Sequence, residues 1–143
     1  MSPSRVLVVE DFAPFREFLC LALGRVRDLQ VIGEVDDGLE AVRKAEELRP
    51  DLILLDIGLP SLNGIEAARQ IRNLSLESKI VFVTLESSTD VVREAFKVGA
   101  WGYVIKNRAA RELLAAIEAV RQSRRFVSAG IVGFDLIEPL EPS

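Results

Sequence analysis

Short, continuous apolar runs recur along the chain and are bounded by charged or turn-forming residues. Two of them, Val6–Val9 and Leu52–Leu55, have no polar position on either face. This is typical of strands buried in a parallel sheet between two layers of helices. Three further runs of similar length are rich in apolar and β-branched residues. Together the runs predict five strands, at Val6–Val9, Gln30–Val35, Leu52–Leu55, Lys79–Val83 and Trp101–Ile105.

Between these runs, apolar residues return every three or four positions, as they do along one face of a helix. Gly38 opens one such stretch and Pro50 closes it, while Ser88 or Thr89 is placed to cap another. The predicted helices run from about Pro14 to Val26, Gly38 to Leu48, Asn63 to Asn73, Ser88 to Gly99 and Arg108 to Arg121. Because strands and helices alternate through short connections, the sequence predicts an α/β fold with a doubly wound five-stranded parallel sheet flanked by five helices, in a single domain.

Composition and charge narrow the range of functions. The 143 residues suit one domain, and the formal net charge of −4 argues against a surface dedicated to nucleic acid. The chain has no histidine, which excludes histidine triads, histidine–metal sites and phosphohistidine relay within this chain.

Cysteine content and hydropathy indicate the compartment. No apolar run approaches the ~18 residues that span a bilayer, and the N-terminus lacks the layout of a signal peptide. The single cysteine, Cys20, excludes an internal disulfide and fits a reducing environment. We therefore expect a cytoplasmic protein with no membrane contact.

Chemically active side chains stand where the predicted strands end. Glu10 and Asp11 follow the first strand, Asp56 the third, Thr84 the fourth and Lys106 the fifth. Carboxyl ends of parallel strands meet at one edge of the sheet, which is where such folds bind their ligands. Three carboxylates held together repel one another unless a cation lies among them. Oxygen ligands in this number favour Mg²⁺ with several retained waters.

The same edge also holds what a phosphoryl transfer requires. Asp56 is the candidate nucleophile, and attack by its carboxylate would give an acyl phosphate. Lys106 and Thr84 offer a positive charge and a hydroxyl to the oxygens of the transferred group, opposite the metal.

At this point the chain resembles the receiver domain of bacterial two-component response regulators, over about Arg5 to Gln122. The resemblance rests on five features in chain order. They are the acidic pair Glu10–Asp11; Asp56, followed two residues later by the metal-facing carbonyl of Gly58; the turn residues Pro60 and Gly64; the hydroxyl of Thr84 after the fourth strand; and the motif GYVIK, which contains Tyr103 and Lys106.

The resemblance implies a flavodoxin-like receiver that is phosphorylated on Asp56 by a sensor histidine kinase or a small phosphodonor. It implies Mg²⁺ bound by both acids of the pair, by Asp56 and by the Gly58 carbonyl. Lys106 and Thr84 would contact the phosphoryl oxygens. Thr84 would then move, and Tyr103 would take the vacated space as the switch residue. A receiver of this kind catalyses its own phosphorylation and dephosphorylation but is a switch, not a turnover enzyme.

The details of the sequence look most like receivers that precede a helix-turn-helix DNA-binding domain. On this view residues 1–122 form the receiver, which itself makes no nucleic-acid contact, and residues 123–143 form a C-terminal tail or a truncated linker. The tail is apolar, and we expect it to dock on the domain or on a neighbouring chain. A homodimer is compatible with this interpretation. The apolar residues of the tail are Ile131, Val132, Phe134, Leu136 and Ile137.

Other interpretations stay open at this stage. A pseudo-receiver of the same fold would be an interaction module that never takes up phosphate. An aspartate-nucleophile phosphatase would carry a second acid two residues after Asp56, where this chain has Gly58. Tyr103 could instead be a permanent core aromatic. We also hypothesise that Glu86, two residues after Thr84, tunes how fast water or a phosphatase reaches Asp56.

Overall fold

The computed structural model describes residues 3–75 and 77–131, and its centre is a parallel sheet. The strand order is β2-β1-β3-β4-β5-β6, so the chain changes direction across the sheet between β1 and β3. The strands are β1 Ser4–Val9, β2 Leu29–Val35, β3 Leu52–Leu55, β4 Lys79–Thr84, β5 Gly102–Ile105 and β6 Phe126–Val127. The helices are α1 Ala13–Gly24, α2 Gly38–Leu48, α3 Gly64–Leu74, α4 Thr89–Lys97 and α5 Ala109–Arg121, with a short 3₁₀ helix at Lys106–Arg108.

Three of the helices begin at a polar side chain that accepts a hydrogen bond from the first turn. Asp37 accepts from the backbone of Leu39 and Glu40, at 2.8 and 3.0 Å. Asn63 opens α3, and Ser88 opens α4 by accepting from the backbone N–H of Val91. Such caps satisfy backbone donors that have no partner inside the helix. Helix α1 instead begins after Phe12 with no side-chain cap.

Two apolar clusters cover the two faces of the sheet. Helices α2, α3 and α4 enclose one cluster, which includes Phe82 and Tyr103, and α1 and α5 enclose the other, which includes Leu19 and Leu113. All four residues of β3 are buried, as expected for a central strand with helices on both sides. The sheet edge at the carboxyl ends of the strands therefore rests on a packed, rigid support.

The doubly wound sheet flanked by five helices is confirmed. The structure adds β6, which pairs in parallel with β5 and which the sequence pattern did not predict. Of the apolar tail residues, Ile131 is described and buried, and the other four lie outside the described residues. The division at residues 122 and 123 stays a prediction. No helix in the described ranges is long and apolar enough to cross a membrane.

Candidate phosphoryl and metal site

The site lies where the carboxyl ends of β1 and β3 meet beside the end of β5. Glu10 directly follows β1, Asp56 directly follows β3, and the two strands pair in register up to Val9 and Leu55. The backbone N–H of Asp56 donates to the carbonyl of Val9 at 3.2 Å. This pairing fixes the two carboxylates side by side, as the strand-end pattern predicts.

Lys106 joins these carboxylates from the other side. Its Nζ atom lies 2.8 Å from Oε1 of Glu10 and 2.9 Å from Oδ2 of Asp56. The ammonium also lies 4.9 Å from the ring centroid of Phe15, close enough for a cation–π contact. Burial alone would lower the pKa of Lys106, but the hydrogen bonds and negative charges of Glu10 and Asp56 outweigh burial and raise it. Lys106 is therefore a charged ammonium that bridges two acids.

Glu10 is almost completely buried. Its Oε2 atom accepts a hydrogen bond of 2.9 Å from the backbone N–H of Phe12. Its Oε1 atom lies beside the Lys106 ammonium but receives no hydrogen bond of good geometry from any residue that the structure describes. Burial is the main cause that raises the pKa of Glu10, and the charge of Asp56 adds to it. A buried carboxylate oxygen that accepts no well-formed hydrogen bond can still accept a further ligand.

The acidic cluster is suited to a hard cation. Oxygen atoms of Glu10, Asp11 and Asp56 all lie within 4.8 Å of one another, and Asp11 is exposed while the other two are buried. The buried Oε1 of Glu10 supports a metal site, because it receives no hydrogen bond of good geometry from the described residues and a bound cation would add to the charge of the Lys106 ammonium 2.8 Å away. All donors are carboxylate oxygens, the set that Mg²⁺ and Ca²⁺ prefer over zinc or copper. The side chains present therefore fit the expected Mg²⁺.

Asp56 is held firmly by its surroundings. Its carboxyl Oδ1 accepts a hydrogen bond of 2.7 Å from the backbone N–H of Ile57, and the side chain is 7% exposed. The loop after it folds back tightly, because a Cβ atom on Gly64 would lie only 2.0 Å from the Asp56 carbonyl oxygen. A side chain at position 64 would force this loop to move. Gly58 lies two residues after Asp56 in the same loop, and the metal-facing role of its carbonyl stays a prediction.

Thr84 and Tyr103 extend the site towards α4. Thr84 is buried at the end of β4 and pairs in register with Ile105, the residue before Lys106. Its Oγ1 atom is 3.5 Å from the backbone nitrogen of Glu86, which donates to it. Tyr103 is fully buried, and its hydroxyl donates to the carbonyl of Glu86 at 2.9 Å.

Tyr103 is thus in the inward position that the resemblance gives to the switch residue. Burial, followed by the charges of Glu86 and Asp56, raises the pKa of Tyr103, so the hydroxyl keeps its proton and can donate. Burial by itself is equally expected of a permanent core aromatic. The assignment of Thr84 and Tyr103 as switch residues therefore remains a proposal.

Two neighbours of the site were missed by the sequence reasoning. The Phe15 ring beneath Lys106 lies in the predicted helix from Pro14 to Val26, where an apolar residue indicates only a core position. The backbone N–H of Phe12, which bonds Glu10, carries no sequence signal, because every residue except proline has such a group.

The fold and the site define a class: an α/β domain with a buried aspartate, an acidic pair and a lysine at the carboxyl edge of a parallel sheet. A family model described as "Response regulator receiver domain" matches residues 6–118. The chain belongs to this family. The resemblance found in the sequence is confirmed, and the protein is a receiver domain of two-component signalling.

Individual relatives agree with this assignment. The chain is 33% identical over 138 residues to Response regulator GacA of Pseudomonas viridiflava, which covers 96% of this chain and 64% of that protein. It is 36% identical over 129 residues to Transcriptional regulatory protein LiaR of Bacillus subtilis, with 90% and 61% covered. The chain thus spans less than two thirds of the length of these curated relatives.

A solved structure supports the same fold. The crystal structure of a two-component response regulator of the LuxR family from Aurantimonas sp. SI85-9A1 superimposes with a TM-score of 0.86 at 35% sequence identity. The match covers 91% of this chain and 93% of that one, so nearly the whole described fold has a counterpart.

Proposed function

We propose that this chain is a phosphorylation-dependent switch that accepts a phosphoryl group on Asp56. The observation that carries the proposal is the Lys106 ammonium, 2.9 Å from Asp56 and 2.8 Å from Glu10, within a cluster of three carboxylates. The arrangement supplies a nucleophile, a cation for the phosphoryl oxygens and an acidic place for a metal within a few ångströms.

In the proposed reaction, a carboxylate oxygen of Asp56 attacks phosphorus. The bond between phosphorus and the donor breaks, its electron pair leaves with the donor, and an acyl phosphate forms on Asp56. The donor is a phosphorylated histidine of a sensor kinase or a small phosphodonor, and the released imidazole or acid takes a proton from solvent according to its pKa. The Lys106 ammonium neutralises negative charge on the phosphoryl oxygens, and the Thr84 hydroxyl forms a hydrogen bond with one of them.

Mg²⁺ belongs to this proposal as the cofactor. Glu10, Asp11, Asp56 and the Gly58 carbonyl would hold it. When bound, it supplies positive charge that lowers the repulsion between the carboxylates and the incoming phosphoryl group. Glu10 serves this role through its buried Oε1 atom, which lies 2.8 Å from the Lys106 ammonium and receives no hydrogen bond of good geometry from the described residues.

The output of the switch is the surface around Tyr103. The Thr84 hydroxyl and the Tyr103 hydroxyl both bond the backbone of Glu86, so a shift of Thr84 towards a phosphoryl group changes the loop that leads into α4. This is a two-state element biased by local charge. The name of the LiaR relative supports transcription as the process controlled. The switch turns over no substrate, and with its single thiol we place it in the cytoplasm.

The test is to incubate the protein with Mg²⁺ and a small phosphodonor and to measure intact mass. We expect a gain of one phosphoryl group that requires Mg²⁺ and is absent in Asp56→Asn. Asp51→Asn is the matched control, because Asp51 stands just before the opposite end of the same strand and should leave the gain unchanged. Wild-type protein that gains no mass, and does not bind beryllofluoride, would instead be a pseudo-receiver.

A further inference from the structure

Residues 126–131, which we call the strap, run along the outer edge of β5 after α5 has ended. Phe126 pairs with Gly102 and Val127 pairs with Tyr103, so the strap lies directly beside the proposed switch residue. The covalent connection between the receiver and the chain beyond residue 131 runs through this segment. The contacts that hold the strap therefore lie at the start of that connection.

Ser128 is the centre of the attachment. It is 2% exposed, and it makes three hydrogen bonds. Its backbone N–H donates to the carbonyl of Tyr103 at 2.8 Å, and its hydroxyl accepts from the N–H of Ile105 at 2.9 Å. The hydroxyl proton goes to Oε1 of Glu112 on α5, at 2.5 Å. One buried serine thus joins β5 to α5.

Glu112 strengthens the attachment from α5. Its Oε2 atom accepts from the backbone N–H of Ala129 at 3.2 Å and from Nε of Arg108 at 2.9 Å. Burial opposes ionisation, but the bonds from Ser128, Arg108 and Ala129 outweigh it and lower the pKa of Glu112. The carboxylate is therefore ionised at neutral pH, and its bonds to the strap are charge-assisted.

The end of the strap closes over the core. Gly130 has a φ of +90°, a conformation that glycine adopts without strain, and the turn sends Ile131 inward. Ile131 is 9% exposed and belongs to the same apolar cluster as Tyr103 and Ile105. The strap therefore covers Tyr103 in its buried position.

We propose that the strap reports the state of the phosphorylation site to the chain beyond residue 131, through the Ser128 hydroxyl clamped between Ile105 and Glu112. The proposal rests on the function proposed above. Ser128 bonds the backbone at Tyr103 and at Ile105, and Lys106 follows immediately. A displacement of this end of β5 therefore moves Ser128.

The direction of the coupling follows from the packing. The strap packs beside Tyr103 in its buried position, where the tyrosine hydroxyl holds Glu86 and Glu86 in turn bonds Thr84. A phosphoryl group that draws Thr84 towards the site leaves the vacated space to the Tyr103 side chain, and it thus favours the buried Tyr103 and the docked strap together. Coupling between two sites is reciprocal, so the docked strap must in turn favour the phosphorylated state. Phosphorylation tightens the strap.

Amide hydrogen exchange of the full chain, followed by NMR with and without Mg²⁺ and beryllofluoride, tests this coupling. We expect the amides of Ile105, Ser128 and Ala129 to exchange at least about 5-fold more slowly with beryllofluoride bound, the lower limit of typical coupling. Ser128→Ala should bind beryllofluoride at least about 5-fold more weakly, by the same reciprocity. Ser123→Ala is the matched control, because that hydroxyl accepts a bond from Lys79, away from the strap, and both readouts should remain as in wild type.

The outcomes separate the two proposals. Strap amides that exchange at the same rate while beryllofluoride binds and Asp56 takes up phosphate would overturn the strap and leave the switch intact. Wild-type protein that binds no beryllofluoride would overturn both. A purely structural Ser128 would lower thermal stability in Ser128→Ala without changing its affinity for beryllofluoride. If that variant does not fold, Glu112→Gln, which keeps a hydrogen-bond acceptor, must show the weaker binding, and wild-type affinity there refutes the coupling.

Discussion

Replacing Lys106 with methionine removes the positive charge that neutralises the carboxylates of Glu10 and Asp56. The methionine keeps most of the side-chain volume and loses the ammonium that lies within 3 Å of both Glu10 and Asp56. The two carboxylates then face each other, with the nearby Asp11, in a site where Glu10 is 1% and Asp56 6% exposed. In the absence of a metal, nothing in the substituted side chain compensates them.

The size of the effect follows from this burial. Removing one partner of a buried ion pair costs about 3–5 kcal/mol, because the remaining charge stays desolvated. The Lys106 side chain is 13% exposed, so solvent screening reduces this only slightly, and we take the lower limit. A loss of about 3 kcal/mol corresponds to a fall in Tm of about 6–12 °C for a domain of this size.

Mg²⁺ should restore much of the stability that the Lys106→Met variant has lost. A cation present at 100 times its Kd stabilises the folded state by about 2.7 kcal/mol. The variant should also bind Mg²⁺ more tightly than wild type, because the ammonium no longer competes for Oε1 of Glu10 and Oδ2 of Asp56. The variant should nevertheless fail to slow exchange of the strap amides with beryllofluoride, since the contact from position 106 to the phosphoryl group is missing.

Thermal unfolding in EDTA and in Mg²⁺, together with titration calorimetry of Mg²⁺, measures these effects. Lys79→Met is the matched control, because the Lys79 ammonium bonds the neutral oxygens of Val120 and Ser123. Its loss should be smaller and independent of Mg²⁺. A Lys106→Met variant as stable as wild type in EDTA, or one with unchanged Mg²⁺ affinity, would refute the charge assignment of the site.

Three further predictions address the loop, the phosphoryl lifetime and the strap. Gly64→Ala should destabilise the domain by about 1–3 kcal/mol and slow mass gain on Asp56, because its Cβ would meet the Asp56 carbonyl. Gly58→Ala is the control and should unfold like wild type, because a Cβ there meets nothing within 4 Å. Equal Tm values for the two variants would contradict this prediction. Glu86→Ala should change the half-life of the acyl phosphate, followed by mass over time, and an unchanged half-life would remove Glu86 from the site. Because its pKa is lowered in the folded state, Glu112 stabilises the fold above its usual pKa near 4.5, and this stabilisation is lost as the pH falls through the folded pKa. The Tm of wild type should therefore exceed that of Glu112→Gln at neutral pH, and the difference should disappear in acid. A difference that stays constant with pH would argue against an ionised Glu112 bonded to the strap.

The strand ends were the part of the site that the sequence could predict. An apolar run as short as Leu52–Leu55, bounded by turn-forming residues, predicts a buried strand. In a parallel sheet the residues that follow such strands share one edge. This reasoning placed Asp56, Glu10 and Lys106 together although they are far apart in sequence, and their ion pairs agree with it. The order and direction of the strands were enough for this prediction, and no side-chain geometry was needed.

The strap could not be predicted in the same way. Strand β6 has two residues, too few for any periodicity, and it forms because β5 offers an unpaired edge. Ser128 follows the last helix in a stretch without periodicity. The i,i+4 spacing of Arg108 and Glu112 is that of an ordinary ion pair on a helix surface and gives no sign of a contact with Ser128. Their roles depend on a contact between segments that pattern reasoning treats separately.

In the proposed switch, strand β5 stands between Asp56 and two routes that lead away from the site. One route leads from the Tyr103 hydroxyl to the Glu86 carbonyl and into α4, through a single side-chain hydrogen bond on an exposed loop. The other leads from Ile105 to Ser128 and out of the domain, through a buried bond between these two residues and a partly buried, charge-assisted bond from Ser128 to Glu112. Because the second route is better protected from water, a Tyr103→Phe variant should lose the response of α4 and keep most of the response of the strap. Ser128→Ala should do the opposite, so exchange rates in the two variants tell which route carries the signal outward.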